Sequence, residues 1–185
     1  MSNQPRPHGP WTLNSTAEVY RDRFIHVWLD QVLRPDGDPG QHVVVNIKPG
    51  VCVLAIDDDN YVYLTSEFHY AVGRISLEAV SGGIEPGEDP LATAQRELAE
   101  ELGLNARHWE LLATIDPFTT IMSSPTRLYV ARVLANCPTD REGTELIEAV
   151  RMPLADALTK IRGGEITHAP TCVGLLLVSE SMKTR

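Results

Sequence analysis

Residues 82–104 read GGIEPGEDPLATAQRELAEELGL, and the sequence predicts a helix with recognisable ends inside this stretch. Asp89 can accept hydrogen bonds from the first free amides as the N-cap, and Pro90 suits the first helical position because no amide donor is needed there. Gly103 stands where a left-handed C-terminal cap belongs. Leucine and alanine side chains recur at spacings of three and four between these ends, so one face of the helix is apolar and can pack on a core.

The segments on either side of this helix are rich in β-branched and aromatic residues and are separated by turn-forming residues. Such runs predict strands. Strands come first and are then interrupted by helices, which favours the α+β class, an α/β/α sandwich. The predicted strands are 42–47, 51–56, 61–64, 109–115 and 127–134, and the further predicted helices are 153–161 and 171–182.

Three carboxylates project from one side of the predicted helix between Asp89 and Gly103. Glu97 lies three residues before Glu100 and four before Glu101, and side chains at these spacings are neighbours on a helix surface. Like charges there repel, so a cation above them would stabilise the cluster, and Mg²⁺ prefers oxygen ligands. The alternative is a solvated acidic face. Three glycines in the preceding loop favour the ligand site, because they let the backbone approach a ligand closely.

The same stretch resembles the Nudix box, GX5EX7REUXEEXGU, in which U is a bulky aliphatic residue. All nine specified positions match: Gly82, Glu88, Arg96, Glu97, Leu98, Glu100, Glu101, Gly103 and Leu104. The resemblance implies a Nudix hydrolase. It also implies the Nudix fold, in which a mixed central sheet lies between helices, here with additional N-terminal antiparallel strands.

The resemblance implies roles for the box residues. Glu97 and Glu101 are then the principal metal ligands, with Glu100 and the backbone carbonyl of Ser81 as further ligands. The metal is Mg²⁺, for which Mn²⁺ can substitute. Gly82 and the remaining charged pair support the box, since Glu88 and Arg96 are expected to form an ion pair that orients the loop on the helix.

Hydrolysis of a pyrophosphate also needs a group that accepts a proton from the attacking water. In Nudix relatives that resemble this chain, the base is often a glutamate in a loop well after the box. The loop 140–145 offers Glu142 and Glu145. Glu142 is favoured because Glu145 begins a segment that enters a strand. Glu100 is the candidate within the box.

The wider chain resembles ADP-ribose and nucleoside-diphosphate-sugar pyrophosphatases. Residues 68–78, FHYAVGRISLE, are similar to the segment QYRYAVGRxxLExPAG of that group. His69, Arg74 and Glu78 are the candidates for substrate contacts, and the alternative for the last two is an ion pair with each other. His69 replaces the arginine of the group, and Val80-Ser81 replaces its Pro-Ala. Both differences bear on specificity for ADP-ribose.

These features lead to three functional hypotheses. The first is an enzyme that hydrolyses the pyrophosphate bond of ADP-ribose or a related nucleoside diphosphate sugar with a metal ion, giving a nucleoside monophosphate and a sugar phosphate. The second is a Nudix pyrophosphatase for dinucleotides such as NADH or diadenosine polyphosphates. The third is a nucleotide-sensing module that does not hydrolyse its ligand. Three mutually repelling carboxylates favour an enzyme over a sensor.

Composition excludes several other classes of function. The 185 residues carry a formal net charge of −9, which disfavours a general nucleic-acid binder. The sequence has no apolar segment long enough to span a membrane. The three cysteines form no CxxC motif, so neither a disulfide framework nor a zinc site is expected. The first ten residues contain no apolar core of a signal peptide. We therefore expect a cytoplasmic protein.

The chain divides into three parts on composition and resemblance. Residues 1–15 predict a flexible leader, residues 16–48 the N-terminal strands, and residues 49–185 the Nudix hydrolase domain. Residues 17–33 and 42–47 are interpreted as a hairpin around the turn at 35–38. By the resemblance, these strands can exchange between two subunits of a homodimer. The aromatic residues of this part could stack on a base, although core packing is favoured for them: Tyr20, Phe24 and Trp28.

Overall fold

The computed structural model describes residues 4–139 and 146–183. These residues form two compact units. The first contains the N-terminal residues up to Lys48 together with Phe118–Ser124, and the second contains the remaining described residues. The strands are β1 (Arg6–His8), β2 (Trp11–Arg21), β3 (Ile25–Leu33), β4 (Pro39–Ile47), β5 (Gly50–Ile56), β6 (Tyr61–His69), β7 (Arg74–Glu78), β8 (Val80–Gly83), β9 (Leu104–Ile115), β10 (Met122–Ser123), β11 (Thr126–Asn136) and β12 (Glu148–Pro153). The helices are α1 (Pro90–Leu102), α2 (Leu154–Arg162) and α3 (Ala169–Lys183).

The first unit is a five-stranded sheet in the order β1-β2-β3-β4-β10. Its strands are antiparallel to their neighbours except β10, which runs parallel to β4. The structure differs from the predicted flexible leader over residues 1–15, because β1 and the beginning of β2 lie there. Gly9 has a φ of +58°, and together with Pro10 it connects the paired residues His8 and Trp11 in a tight hairpin. Gly9 and Pro10 therefore form a turn between two strands and are not part of a flexible leader.

The predicted first arm of the N-terminal hairpin, residues 17–33, is in fact two antiparallel strands, β2 and β3. The chain reverses at Asp22, whose side chain accepts hydrogen bonds from the amides of Phe24 at 2.7 Å and Ile25 at 2.8 Å. An aspartate that bonds the backbone two residues ahead stabilises a turn without any glycine or proline. The prediction of one continuous arm was wrong because it relied on glycine and proline as turn signals.

The second unit is built on a seven-stranded mixed sheet whose central path is β12-β6-β5-β11-β9. β5 and β11 are parallel and the remaining neighbours are antiparallel. β7 pairs with β6, and β8 pairs with β5. The predicted strands of this unit are therefore present, with longer bounds for β6, β9 and β11 than the sequence suggested.

Both faces of β5 are buried, and this determines the layers of the second unit. Cys52 and Leu54 point into a core shared with α2 and α3, whereas Val53 and Ala55 point into a core shared with α1. Successive side chains of a strand point to opposite faces. The sheet therefore lies between α1 on one side and α2 and α3 on the other, which is the predicted α/β/α arrangement. Within the described ranges, no helix has the length and hydropathy needed to cross a membrane.

Close packing of α3 on the sheet predicts that Gly174→Ala destabilises the protein. A Cβ at Gly174 would lie 2.4 Å from Cδ2 of Leu54. Alanine favours a helix over glycine by about 1 kcal/mol, but overpacking a core opposes folding by about 1–3 kcal/mol. We expect a net loss of about 1 kcal/mol in the free energy of unfolding, measured by urea titration.

Two variants control this prediction. Ser179→Ala in the same helix should change the unfolding free energy by less than about 0.5 kcal/mol. In a Leu54→Val background, which removes the clashing Cδ2 atom, Gly174→Ala should lose most of its effect. An equal loss in both backgrounds would show that the contact with Leu54 is not its cause.

Candidate active site

The helix α1 has the ends that the sequence predicts. Asp89 has an extended backbone and its side chain accepts hydrogen bonds from the amides of Leu91 and Ala92 at 3.0 and 3.1 Å. Gly103 closes the helix with a φ of +62° and donates its amide to the carbonyl of Ala99. These caps fix both the beginning and the end of the helix. The orientation of its acidic side chains is fixed with them.

The carboxylate of Glu97 lies directly against the backbone of Gly82 in β8. A Cβ at Gly82 would be only 2.0 Å from Cδ and Oε1 of Glu97. Any other residue at position 82 would therefore displace this carboxylate. Ser81 precedes Gly82 in β8 and is paired with Cys52 of β5. The close approach places a carboxylate of α1 beside the strand that contains Ser81.

Arg96 organises the acidic side chains around it. Its Nε donates to Oε1 of Glu88 at 3.0 Å and its Nη2 to Oε2 at 3.3 Å, a two-point contact. Its Nη1 lies 2.9 Å from Oε1 of Glu97 and 2.9 Å from Oε2 of Glu100. The predicted ion pair between Glu88 and Arg96 is thus present, and the same guanidinium also offsets the repulsion between Glu97 and Glu100.

The contact with Arg96 changes the acidity of Glu88. The guanidinium hydrogen bonds, followed by the amide of Glu85, lower the pKa of Glu88 from 4.5 to about 2. That amide donates to Oε2 of Glu88 at 3.0 Å, so Glu88 connects the loop before α1 to the helix itself. A carboxylate with several donors remains ionised well below neutral pH.

Glu101 is the third carboxylate of the box and is half-buried. Its charge contributes to raising the pKa of the Cys52 thiol in β5, although burial is the main cause of that shift. Glu101 therefore lies close to the sheet. In the described part of the chain, no three His, Cys, Asp or Glu side chains converge in a metal-binding arrangement. Among the box carboxylates, Glu88, Glu97 and Glu100 have Arg96 as their counter-charge.

A second group of charged and polar side chains surrounds Glu78, at the end of β7. Nε2 of His69 lies 3.3 Å from Oε1 of Glu78, and Nδ1 of His168 lies 3.2 Å from Oε2. The side chain of Glu78 is only 14% exposed, so both of its oxygens have imidazole partners in a partly desolvated place. Burial lowers the pKa of His168, against the opposing effect of the Glu78 charge.

Comparison with known proteins agrees with the geometry of the box. The NUDIX domain family matches residues 46–171. This chain belongs to the Nudix family. A CMP-5'-(N-acetyl-N-hydroxy-3-aminopropyl)phosphonate hydrolase of Streptomyces rubellomurinus is 32% identical over 171 residues, which are 91% of this chain and 82% of the relative. An ADP-ribose pyrophosphatase of Mycobacterium tuberculosis is 30% identical over 167 residues, 89% of this chain and 81% of the relative.

A solved structure supports the same fold. The crystal structure of an ADP compounds hydrolase superposes with a TM-score of 0.82 at 25% sequence identity and covers 97% of both chains. The predicted α+β Nudix fold is confirmed, and so is the prediction of a Nudix pyrophosphatase. Nudix hydrolases act on nucleotide substrates and generally use divalent metal ions.

The residues of this Nudix hydrolase that were predicted to contact substrate do not all contact one another in the structure. His69 and Glu78 lie together, but Nη2 of Arg74 donates to Oγ1 of Thr167 at 2.8 Å. Arg74 and Glu78 have these other partners instead of pairing with each other. Residues four apart on a strand are about 13 Å apart, which explains why the alternative ion pair is not formed. Glu142 and Glu145 lie outside the described residues.

The aromatic residues of the first unit are less buried than predicted. Tyr20 is 51% exposed and Phe24 is 53% exposed, so the expectation of core packing was wrong for both. Phe24 instead stacks under Arg23, whose Cζ lies 4.4 Å from the ring centroid. Trp28 is half-buried and its ring lies 3.8 Å from that of His26. The alternation of polar and apolar residues did not show which face of the sheet is covered.

Sequence reasoning assigned no role to His168 or Thr171. Both lie about 90 residues beyond Glu78 and Ala79 in the chain, yet they contact them. No local pattern encodes such a contact, because it depends on how α3 docks on the sheet.

The lowered pKa of Glu88 predicts an acid-sensitive contribution to stability. Its folded pKa of about 2 lies below the unfolded value of 4.5, so the contribution is complete above about pH 5 and is lost as the pH falls towards 2. We expect Glu88→Gln to lower the unfolding free energy by about 1–2 kcal/mol at pH 7, a value reduced by partial solvation. The difference from wild type should shrink between about pH 4.5 and 3 in urea titrations. A difference that is constant over this range would contradict the assignment.

Proposed function

We propose that this Nudix hydrolase cleaves the pyrophosphate bond of ADP-ribose or a related nucleoside diphosphate sugar in a Mg²⁺-dependent reaction. The products are a nucleoside monophosphate and a sugar phosphate. The observation that carries the proposal is that the carboxylate of Glu97 lies against the backbone of Gly82. The helix of Glu97 also bears Glu100 and Glu101. The substrate class is supported by relatives from Bacillus subtilis and Mycobacterium tuberculosis that are named ADP-ribose pyrophosphatase.

The box residues fit a hard divalent cation. Glu97, Glu100 and Glu101 supply carboxylate oxygens, and the carbonyl of Ser81 is the proposed backbone ligand. Gly82 leaves space for the carboxylate of Glu97 beside that strand. Oxygen donors of this kind suit Mg²⁺, and Mn²⁺ can replace it. When bound, the ion neutralises charge on the pyrophosphate and makes the attacking water more acidic.

Arg96 holds the unloaded carboxylates in place. In the structure its Nη1 contacts both Glu97 and Glu100. Glu97 and Glu100 would give up that contact to hold a cation, while Nε and Nη2 of Arg96 would stay on Glu88. The guanidinium therefore orders the side chains of Glu97 and Glu100 in this structure, and both would have to turn away from Nη1 to converge on an ion.

The proposal assigns the proton-accepting role to a glutamate of the loop 140–145, Glu142 or Glu145, with Glu100 as the candidate inside the box. Glu100 already accepts a hydrogen bond from Arg96 at 2.9 Å, so one of its carboxylate oxygens is occupied by a protein donor. The loop glutamates are therefore preferred. His69 and Glu78 are proposed to contact the substrate, and the bond from Arg74 to Thr167 keeps that part of β7 in position.

A substrate panel and a matched pair of variants test this function. Wild type is incubated with ADP-ribose, ADP-glucose, UDP-glucose, GDP-mannose, NADH, diadenosine polyphosphate and a CMP conjugate, each with Mg²⁺, Mn²⁺ or EDTA. The CMP conjugate is included because of the Streptomyces relative. Turnover should be greatest for ADP-ribose or one nucleotide sugar and be abolished by EDTA. Glu101→Gln should lower kcat by about 10²–10³-fold, because charge stabilisation at phosphorus is lost.

Glu110→Gln on β9 is the control and should keep wild-type kcat. Binding of ADP-ribose to Glu101→Gln, measured by calorimetry, should persist. Turnover confined to NADH or diadenosine polyphosphate would replace the proposed substrate class with dinucleotides. Equal and negligible turnover in wild type and Glu101→Gln, with ligand binding retained, would replace the enzyme with a sensor.

We also propose a homodimer formed through the first unit. This unit exposes large apolar side chains that a monomer would leave in water: Val19, Tyr20, Phe24, Leu33 and Val43. A second copy of the chain would cover such a surface. Exchange of the N-terminal strands between subunits is one way to do so.

Light scattering after size exclusion tests the dimer. We expect a mass of about twice 20.4 kDa. Val19→Glu combined with Phe24→Glu should shift the mass towards the monomer, because two charges cannot be buried without partners. Val72→Glu combined with Ile75→Glu, at exposed positions of the second unit, is the control and should leave the mass unchanged. A monomer for wild type over the working range of concentrations would overturn the proposal.

A further inference from the structure

Thr171, in the first turn of α3, is completely buried and its hydroxyl lies among polar partners. The amide of Ala79 donates to Oγ1 of Thr171 at 2.9 Å. Nδ1 of His168 lies 2.8 Å from the same oxygen. The thiol of Cys52, which is also fully buried, shares hydrogen bonds with Thr171 and Ser81. A threonine in this position connects the helix to β5 and to the residue between β7 and β8, and it also contacts the histidine that precedes the helix.

The first connection leads to the box. Ala79 is the single residue between β7 and β8, so its amide is held by Thr171 at the point where the chain passes from one strand to the next. Oγ of Ser81 donates back to the carbonyl of Ala79 at 2.9 Å. The next residue, Gly82, contacts Glu97. Thr171 therefore anchors a short segment that ends at the carboxylate of the box.

The second connection leads to Glu78. Nδ1 of His168 is 3.2 Å from Oε2 of Glu78 and 2.8 Å from Oγ1 of Thr171. We assign the imidazole proton to Nδ1, because an unprotonated Nδ1 would direct its lone pair at a carboxylate. His69 holds the other oxygen of Glu78. Glu78 is thus oriented by one imidazole from β6 and one from the residue before α3, and the second is held by Thr171.

We propose that Thr171 is a positioning residue that aligns the metal-binding part of the site with the substrate-binding part. Through Ala79 it sets the place of the Ser81 carbonyl next to Glu97, and through His168 it sets the direction of Glu78. The proposal rests on the proposed roles of Ser81 as a metal ligand and Glu78 as a substrate contact. Its hydroxyl is the only side-chain group in the described chain that is hydrogen-bonded to both Ala79 and His168.

Substitutions at position 171 separate positioning from simple packing. Thr171→Val keeps the shape of the side chain and removes the hydroxyl, so the amide of Ala79 loses its acceptor. Thr171→Ser keeps the hydroxyl and removes a methyl group. Val178→Ala, in the same helix and 1% exposed, lowers stability by removing core contacts and touches none of these hydrogen bonds.

Two readouts are measured on the full chain. The first is the dissociation constant for Mn²⁺ without substrate, from the electron paramagnetic resonance of the free ion. The second is kcat and KM for the substrate that wild type hydrolyses. Thr171→Val should weaken Mn²⁺ binding and lower kcat by about tenfold each, as for loss of other groups that orient metal ligands. Thr171→Ser should stay within about threefold of wild type, and Val178→Ala should equal wild type in both readouts.

The Glu78 connection has its own variant. His168→Phe preserves a ring and removes Nδ1, so we expect KM to rise about tenfold while Mn²⁺ binding stays unchanged. Should Thr171→Val fail to fold, this variant decides the question, since an unchanged KM would overturn the proposal.

Further results would decide against the role of Thr171. The positioning role would be overturned if Thr171→Val bound Mn²⁺ with wild-type affinity. It would also be overturned if Thr171→Ser were as impaired as Thr171→Val. Equal losses in Thr171→Val and Val178→Ala would reduce it to a packing role. Absence of turnover in wild type with every substrate and metal would instead refute the proposed function, and the Mn²⁺ measurement would still test Thr171.

Discussion

The contact between Glu97 and Gly82 is the constraint on which the candidate site depends. It requires a helix and a strand to approach so closely that no side chain fits at position 82. That approach brings a carboxylate next to the backbone of β8 and also brings further negative charge near it. The charge is tolerated because Arg96 spans Glu88, Glu97 and Glu100 with one guanidinium. A lysine could not make these contacts together, since it lacks the planar fork of donors.

The parts of the molecule that could be predicted are those encoded by neighbouring residues. The ends of α1 follow from Asp89, Pro90 and Gly103, and the pair Glu88–Arg96 follows from the box pattern. The reversal at Asp22 was missed although it is also local, because its signal is an aspartate side chain and not a glycine. The β1–β2 hairpin shows the opposite error, since residues 1–15 were predicted to be a flexible leader although Gly9 and Pro10 form a turn between two strands.

The surroundings of Glu78 could not be predicted for a different reason. Its partner His168 lies 90 positions later in the chain and reaches it only because α3 docks against the sheet. The relatives match this chain over about nine tenths of its length and differ in what they are named to act on. In this chain a histidine stands where the pyrophosphatase group has an arginine, and it pairs with Glu78. The family accounts for the reaction class, whereas the proposed substrate contacts depend on residues from distant parts of the chain.

The burial of β5 on both faces affects which mutations can alter the activity of such an enzyme. Leu54 faces Gly174 of α3, and Thr171 lies one turn earlier in that helix. The volume of a core side chain therefore sets the height at which α3 rests on the sheet, and so the height of the groups at its beginning. Catalytic properties can consequently drift through mutations in the hydrophobic interior, while every residue that touches substrate stays the same. Such mutations lie outside the box, so a comparison of box sequences alone does not record them.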